Sequence, residues 1–445
     1  MKLLSLKLPT SKLTTFSALN LASASLLLTP LLFAPLYSAT AAPMEIDVTV
    51  VAPRQQNQVA FVPFAGDNVL SSIILNDLSR TELKVTSQGL PQQPRNSGEL
   101  AGTLPVWQSL GIPYLVVGST RSNRGQVITD YEVIDVKSGR IIQGKQSLTA
   151  NNDAQSMRYA GHVIADKIYE LITGTPGDFS GRIAYIEETG VGSDKISRLK
   201  VMDADGENVR VMTEVKGSNF SPAWSPDSNR IAYSIQREKS YPIIYVQNVS
   251  GGGATAVANY QGSNLSPSFS PDGSKILFSS SFEGSADIYQ ISANGGNLQK
   301  LVSWPSSEVQ PSYAPDGQSF VFVSDKAGFN RPQIYRYEFG SGRVTKVSNS
   351  SYATSPQFSS DGSQIAFLNG SSAAIMNSGG AVTANLGNTG IDEAPSFSPN
   401  GKRVVYASRQ GGKGVLTIKP LAGGSAINVP SSGTVRSPVW SASPK

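Results

Sequence analysis

Ser266-Pro267-Ser268-Phe269-Ser270-Pro271-Asp272-Gly273-Ser274-Lys275-Ile276-Leu277-Phe278 is a unit that recurs, with copies at residues 221–233, 310–322, 355–367 and 394–406. Its turn residues Asp227, Asp272, Asp316, Asp361 and Asn400 stand 45, 44, 45 and 39 positions apart, a period that fits one four-stranded blade of a β-propeller. Pro267 lacks an N–H and can open a strand without wasting a ladder donor, while Phe269 brings apolar area to the space between blades. Ser270-Pro271-Asp272-Gly273 then reads as a turn, because Pro presets φ, Asp bonds the backbone locally and Gly accepts positive φ. Ile276, Leu277 and Phe278 form a buried returning strand. Ser228, Ser360 and Asn400 replace the Gly, Pro and Asp in other copies, and each is itself a turn former.

Proline-led strands begin near Pro222, Pro267, Pro311, Pro356, Pro395 and Pro438, and returning strands near Ile183, Ile231, Ile276, Phe320, Ile365 and Val404. The count is six of each. The first returning strand lacks a proline-led partner before it, and the last proline-led strand lacks a returning strand after it. Pairing these two closes the ring and removes the exposed edges of an open array.

The formal charge of +5 arises partly in a basic leader containing Lys2, Lys7 and Lys12 and no acid. Without residues 1–41 the charge falls to +2, which removes the argument for nucleic acid, since phosphate binding needs clustered positive surface. Basic residues, an apolar run over 19–36 interrupted by Pro30 and Pro35, and the small residues Ala39-Thr40-Ala41 have the order of a secretory signal cleaved before Ala42, and no membrane span remains in the mature chain. With no cysteine, disulfides, thiolate metal sites and a lipid-modified Cys are excluded.

Behind the leader, Glu45, Ile46, Asp47, Val48, Thr49, Val50 and Val51 alternate as a strand does. The strand is either the first edge of the following domain or free for a partner to pair with. Strands are expected over 57–64, 114–120, 125–136 and 140–148, and helices over 67–78 and 156–172, ending at Gly174 and Pro176. The expected fold is therefore multidomain, α/β plus all-β: a small N-terminal α/β domain over 42–175 and a six-bladed β-propeller over 176–445, joined at 174–178.

No chemistry gathers around the lone histidine, His162: there is no G-x-S-x-G elbow, and metal binding by His or Cys fails by count. It reads as a structural or interdomain contact. Asp203-Ala204-Asp205-Gly206 reads as a hairpin turn rather than a calcium loop, because Glu207 to Arg210 supply no ligand series. No enzyme activity, cofactor or metal is expected. The loops feeding the proline-led strands, 216–219, 261–265, 306–310, 352–354, 391–393 and 434–436, converge at one end of the ring. Their mix of small, amide and charged residues suits a protein-binding rim.

Val62-Pro63-Phe64, Leu90-Pro91-Gln92-Gln93-Pro94, Trp107-Gln108-Ser109-Leu110-Gly111-Ile112 before Leu115-Val116-Val117-Gly118, and Arg158-Tyr159-Ala160-Gly161-His162, together with leader and propeller repeats, resemble the TolB family, periplasmic components of the Tol-Pal cell-envelope system. The resemblance runs from about Glu45 to the C-terminus. It implies a non-enzymatic periplasmic adaptor that supports outer-membrane integrity and outer-membrane constriction in cell division. It also implies that Pal, the peptidoglycan-associated lipoprotein, docks at the propeller mouth and TolA at the strand Glu45 to Val51. By position the mouth contacts fall on Ser263, Asn264, Ser266, Glu308, Val309, Asp392, Glu393 and Arg436. The other reading weighed is a gating propeller of a prolyl-oligopeptidase-like peptidase, which needs a hydrolase domain and nucleophile elbow not found in the sequence.

Overall fold

Two interleaved sets of apolar residues at period two build the first sheet, one set for each face. The computed structural model describes residues 57–66, 68–388, 395–411, 413–422 and 426–443. The expected leader and the strand from Glu45 to Val51 lie outside them. Gln58–Phe61 pairs in parallel with Lys84–Thr86 on one side and with Tyr114–Asn123 on the other. Gln126–Asp135 follows antiparallel, with Arg140–Ile141 and Gln146–Asn151 aligned along its outer edge. The helices are α1 (Asn68–Ser79), α2 (Leu104–Ser109) and α3 (Ala154–Thr173). Val59, Phe61, Val116 and Val133 pack under Leu70, Ile74 and Leu78 of α1 and Ile164 and Ile168 of α3. Ala60, Val62, Leu115, Val117 and Ile134 face the other way, onto Trp107 of α2.

The helix ends follow from local chemistry. Asp153 caps α3 by accepting a hydrogen bond from Ser156 N at 2.9 Å, and Gly174 ends it with φ 73°, a conformation that favours Gly. The run expected as one strand over 140–148 is broken, because Gln143 (φ 54°) and Gly144 (φ 77°) turn the chain between Arg140–Ile141 and Gln146–Asn151. Lys84–Thr86 and α2 were not anticipated. Both are too short to carry a periodic signal.

Among the described residues that follow, the sheets are antiparallel: one of seven strands and four of four. The seven-stranded sheet depends on one long strand, Arg210–Trp224, that serves two neighbours. Its first half pairs with Ile196–Asp203 and its second with Arg230–Arg237. At the far edge, the C-terminal strand Thr434–Trp440 pairs with Arg182–Thr189, setting Val439 opposite Ala184 and Trp440 opposite Ile183. Returning strands form the core, with Ile276, Leu277, Phe278, Phe320, Val321 and Phe322 fully buried.

Arginines open three of the returning strands and fasten them to the repeat that follows. Arg182 lies over the Trp224 ring at 5.3 Å and donates to Ser228 O at 2.8 Å. Arg230 repeats this on Phe269 and Gly273 O, at 5.3 and 3.0 Å. Arg403, the same position in the last repeat, lies over Trp440, but the next turn is divided between the C-terminal tail and the segment after α3. Asp178 therefore supplies the acceptor: Arg403 Nε donates to its Oδ2 at 2.9 Å and Nη2 to its Oδ1, both side chains being buried.

Candidate functional site

The inner strands do not begin at their prolines. Pro222, Pro267, Pro311, Pro356 and Pro438 each sit mid-strand in a one-residue bulge, which is why the missing N–H costs no ladder bond. Leu265 and Ser268 pair with Ser279 and Leu277, three residues against two, and the same slip occurs at Val309/Ser312, Thr354/Gln357 and Arg436/Val439. The residue before each proline, Ser221, Ser266, Gln310, Ser355 or Ser437, has φ between 45° and 55°, a conformation that costs a non-Gly residue about 1–3 kcal/mol. These five residues ring a cavity of about 430 Å³ whose described lining carries no charged side chain. Gln310 brackets two strands across it, donating from Nε2 to Ser355 Oγ at 3.0 Å and accepting from Ser355 N at 2.8 Å.

Because the sheets are antiparallel, the loops entering the inner strands share an end with the hairpin after each returning strand. Hydrogen bonds tie the two sets together. Glu308 N donates to Ala286 O at 2.6 Å and Ala353 N to Pro332 O at 2.9 Å.

Two of the expected rim residues are fully buried braces of these loops. Asn264 Nδ2 donates to Pro242 O at 2.9 Å and Tyr260 O at 2.8 Å, while its Oδ1 accepts from Ser280 Oγ at 2.8 Å. Glu308 accepts from Trp304 N at 2.9 Å, Ser306 Oγ at 2.6 Å and Ser324 Oγ at 2.9 Å. Burial pushes its carboxyl above the ordinary value against these bonds. Asn219 occupies the equivalent position in an earlier repeat, held on Ser197. Ser263, Ser266, Val309 and Arg436 are partly exposed at the rim, although Val309 also packs against the core around Phe367. Arg436 lies 3.9 Å from Glu188. Asp392 and Glu393 fall outside the described residues.

Sequence reasoning missed the hairpin tips. Val191 (85% exposed), Tyr241 (58%) and Phe329 (85%) stand on three hairpins at the mouth end. The signal was present in Gly328-Phe329-Asn330, where a large apolar residue sits among turn formers that cannot bury it. At the opposite end α3 lies against the turn at Asp203 and Asp205. The ring nitrogens of His162 there face Asp77 and Asp203, so no hydroxyl nucleophile is paired with it.

Comparison with known proteins follows the same division. Residues 42–142 match the model of the TolB amino-terminal domain, and residues 169–444 match that of the TolB beta propeller domain. A Tol-Pal system protein TolB of Acinetobacter baylyi is 39% identical, over 87% of this chain and 92% of that protein. The namesake from Xylella fastidiosa strain 9a5c is 39% identical over 78% and 80%. The crystal structure of TolB from Acinetobacter baumannii superposes with a TM-score of 0.74 at 35% identity, covering 86% of this chain and 96% of that one. Two family models, near-full-length relatives and a superposable fold agree, and the chain belongs to the TolB family of Tol-Pal system proteins.

Proposed function

We propose that the chain is a non-enzymatic periplasmic adaptor of the Tol-Pal system, with a signal peptide (1–41), a small N-terminal α/β domain (42–175) and a six-bladed propeller (176–445). The count of six treats the seven-stranded sheet as two blades, divided where Arg210–Trp224 passes from one neighbour to the other. Among the described residues no helix is long and apolar enough to cross a membrane. Pal docks at the propeller mouth and TolA pairs with Glu45 to Val51, an arrangement that sustains outer-membrane integrity and outer-membrane constriction during division.

The observation that carries this reading is the exposure of Val191, Tyr241 and Phe329 on three hairpins at the mouth end, above the bulged inner strands. Exposed aromatics over a rigid platform are what an interface uses as anchors. Asn264 and Glu308 then act as positioning residues, and Ser263, Ser266, Val309 and Arg436, with Asp392 and Glu393, make the rim. Because Val309 is part of a core cluster, a charge there would confound docking with stability. The tips are cleaner probes.

The test is titration of soluble Pal and of the TolA periplasmic domain against the mature chain. Phe329→Ala with Tyr241→Ala is expected to weaken Pal binding by roughly tenfold or more with the melting temperature unmoved. Removal of residues 42–51 is expected to abolish TolA binding and spare Pal. Undiminished Pal binding by the double variant refutes the mouth assignment, and normal TolA binding by the truncated chain refutes the two-site adaptor.

A further inference from the structure

At the opposite end of the propeller, charged side chains meet across a junction. Helix α3 presents Arg158, His162 and Asp166 at spacing four, on one face. Arg158 Nε donates to Asp203 Oδ2 at 2.8 Å and Nη2 to Asp205 Oδ2. His162, 2% exposed, meets Asp77 of α1 through Nδ1 at 2.6 Å. Its Nε2 has no hydrogen-bond partner and points at Asp203 Oδ2, 3.8 Å away. Asp166 accepts from Phe179 N at 2.7 Å, Ser180 N at 3.1 Å and Ser180 Oγ. One helix face thus grips α1, the Asp203–Asp205 turn of the propeller and the segment joining the two.

The charges around His162 leave a place for one proton. Three carboxylates face it, Asp77 from α1 and Asp203 and Asp205 from the turn. Two guanidinium groups stand with them, Arg158 on α3 and Arg80 just after α1, the latter 3.9 Å from Asp205. Arg403 acts on Asp77 from farther off. Protonated His162 balances the set, whereas the neutral ring leaves a carboxylate without a counter-charge in a buried site. Because Arg158 already occupies Asp203 and Asp205, the cluster is a closed ionic network rather than an open cation site. Around Asp166 the facing groups are Asp178, Arg403 and Tyr159.

We propose that this face of α3 is a proton-operated clasp: with His162 protonated it holds the mixed sheet against the propeller, and loss of that proton as the pH rises loosens it.

The titration of His162 supports the proposal. Burial alone would lower the His162 pKa, but its hydrogen bond to Asp77 and the charges of Asp77, Asp205 and Asp203 outweigh it and raise the value above 6.5. A group whose folded pKa is raised holds its proton after the unfolded chain has released it. The His162 contribution is therefore complete below 6.5 and is lost as the pH climbs through the folded value.

His162 is the chain's one histidine and there is no cysteine, so both readouts are unambiguous. In the mature full-length chain the His162 ring carbons are followed by NMR from pH 5 to 9, together with amide protection factors at Phe179 and Ser180. A spin-label pair at Lys137→Cys and Ser341→Cys reports the separation of sheet and propeller. The expected result is a midpoint above 6.5, with protection falling about tenfold per pH unit across it and the interlabel distance distribution broadening in step. His162→Gln should show the alkaline behaviour at every pH. Asp203→Asn, at a site still partly open to solvent, should shift the midpoint down toward 6.5 and carries the test should the first variant not fold. A midpoint at or below 6.5, or a raised midpoint with protection and distance unchanged, overturns the clasp.

Discussion

The two ends of the propeller are built from the same turns and strands, yet they solve opposite problems. At the mouth, buried polar side chains such as Asn264 and Glu308 hold the loops from beneath and leave Tyr241 and Phe329 uncovered. At the α3 end, ion pairs are themselves buried: Arg403 with Asp178, and Arg158 with Asp203 and Asp205. A surface that must release a partner cannot contain contacts whose rupture strands a desolvated charge, whereas a permanent junction can. The α3 end, where buried ion pairs join distant parts of the chain, is accordingly the cohesive one.

That contrast breaks most visibly at Arg403. Arg403→Ala leaves Asp178 buried without its partner and removes the guanidinium lying over Phe179 and Trp440. The expected loss is about 3–5 kcal/mol, measured by urea unfolding of the mature chain. A loss no larger than that of an exposed pair such as Arg343–Glu338 would show that the seam is not the cohesive element.

A smaller effect is expected at the bulges. Ser266→Val forces a β-branched residue to φ 55° and should cost about 1–3 kcal/mol, while Ser266→Gly should be neutral or mildly stabilising. If the two variants melt together, the bulge carries no strain and the rim geometry is set elsewhere. The smallest effect belongs to the turns. Hydrogen bonds from Ser270 and from Ser274 hold the Asp272 carboxyl down at about 2. Its contribution is present above 3.8 and is lost as the pH falls through about 2. Asp272→Asn should therefore flatten the acid limb of the stability profile slightly and leave pH 7 docking untouched. A steeper acid limb in the variant would contradict the assignment.

The repeat was readable because it is local: Pro, Asp and Gly fix the Ser270–Gly273 turn within four residues, and Ile276 to Phe278 announce their own burial. What escaped the sequence is contact between distant segments. The positive φ at Ser266 and Ser355 follows from a register slip against the neighbouring strand, which composition does not reveal. Asn264 and Glu308 fall at the rim by position in the family resemblance, and only the hairpin before each shows that their hydrogen bonds close inward. Asp203 and Asp205 read correctly as a turn, but their partner Arg158 stands 45 and 47 positions earlier. Asp178 and Arg403 meet across 225 positions.

The strand from Thr434 to Trp440 also sets a timetable. Arg182 N donates to Ser441 Oγ across 259 positions, so a chain synthesised from its N-terminus presents the free edge of Arg182–Thr189 until Thr434–Trp440 has emerged. Every other sheet can complete itself from neighbouring segments as they appear, but this one waits. Contacts of such long separation form slowly, and an unpaired edge is prone to pair with other chains meanwhile. Assembly of this molecule is thus most exposed to aggregation just before its end, and a chaperone that shields one strand edge would have more effect there than at any other stage.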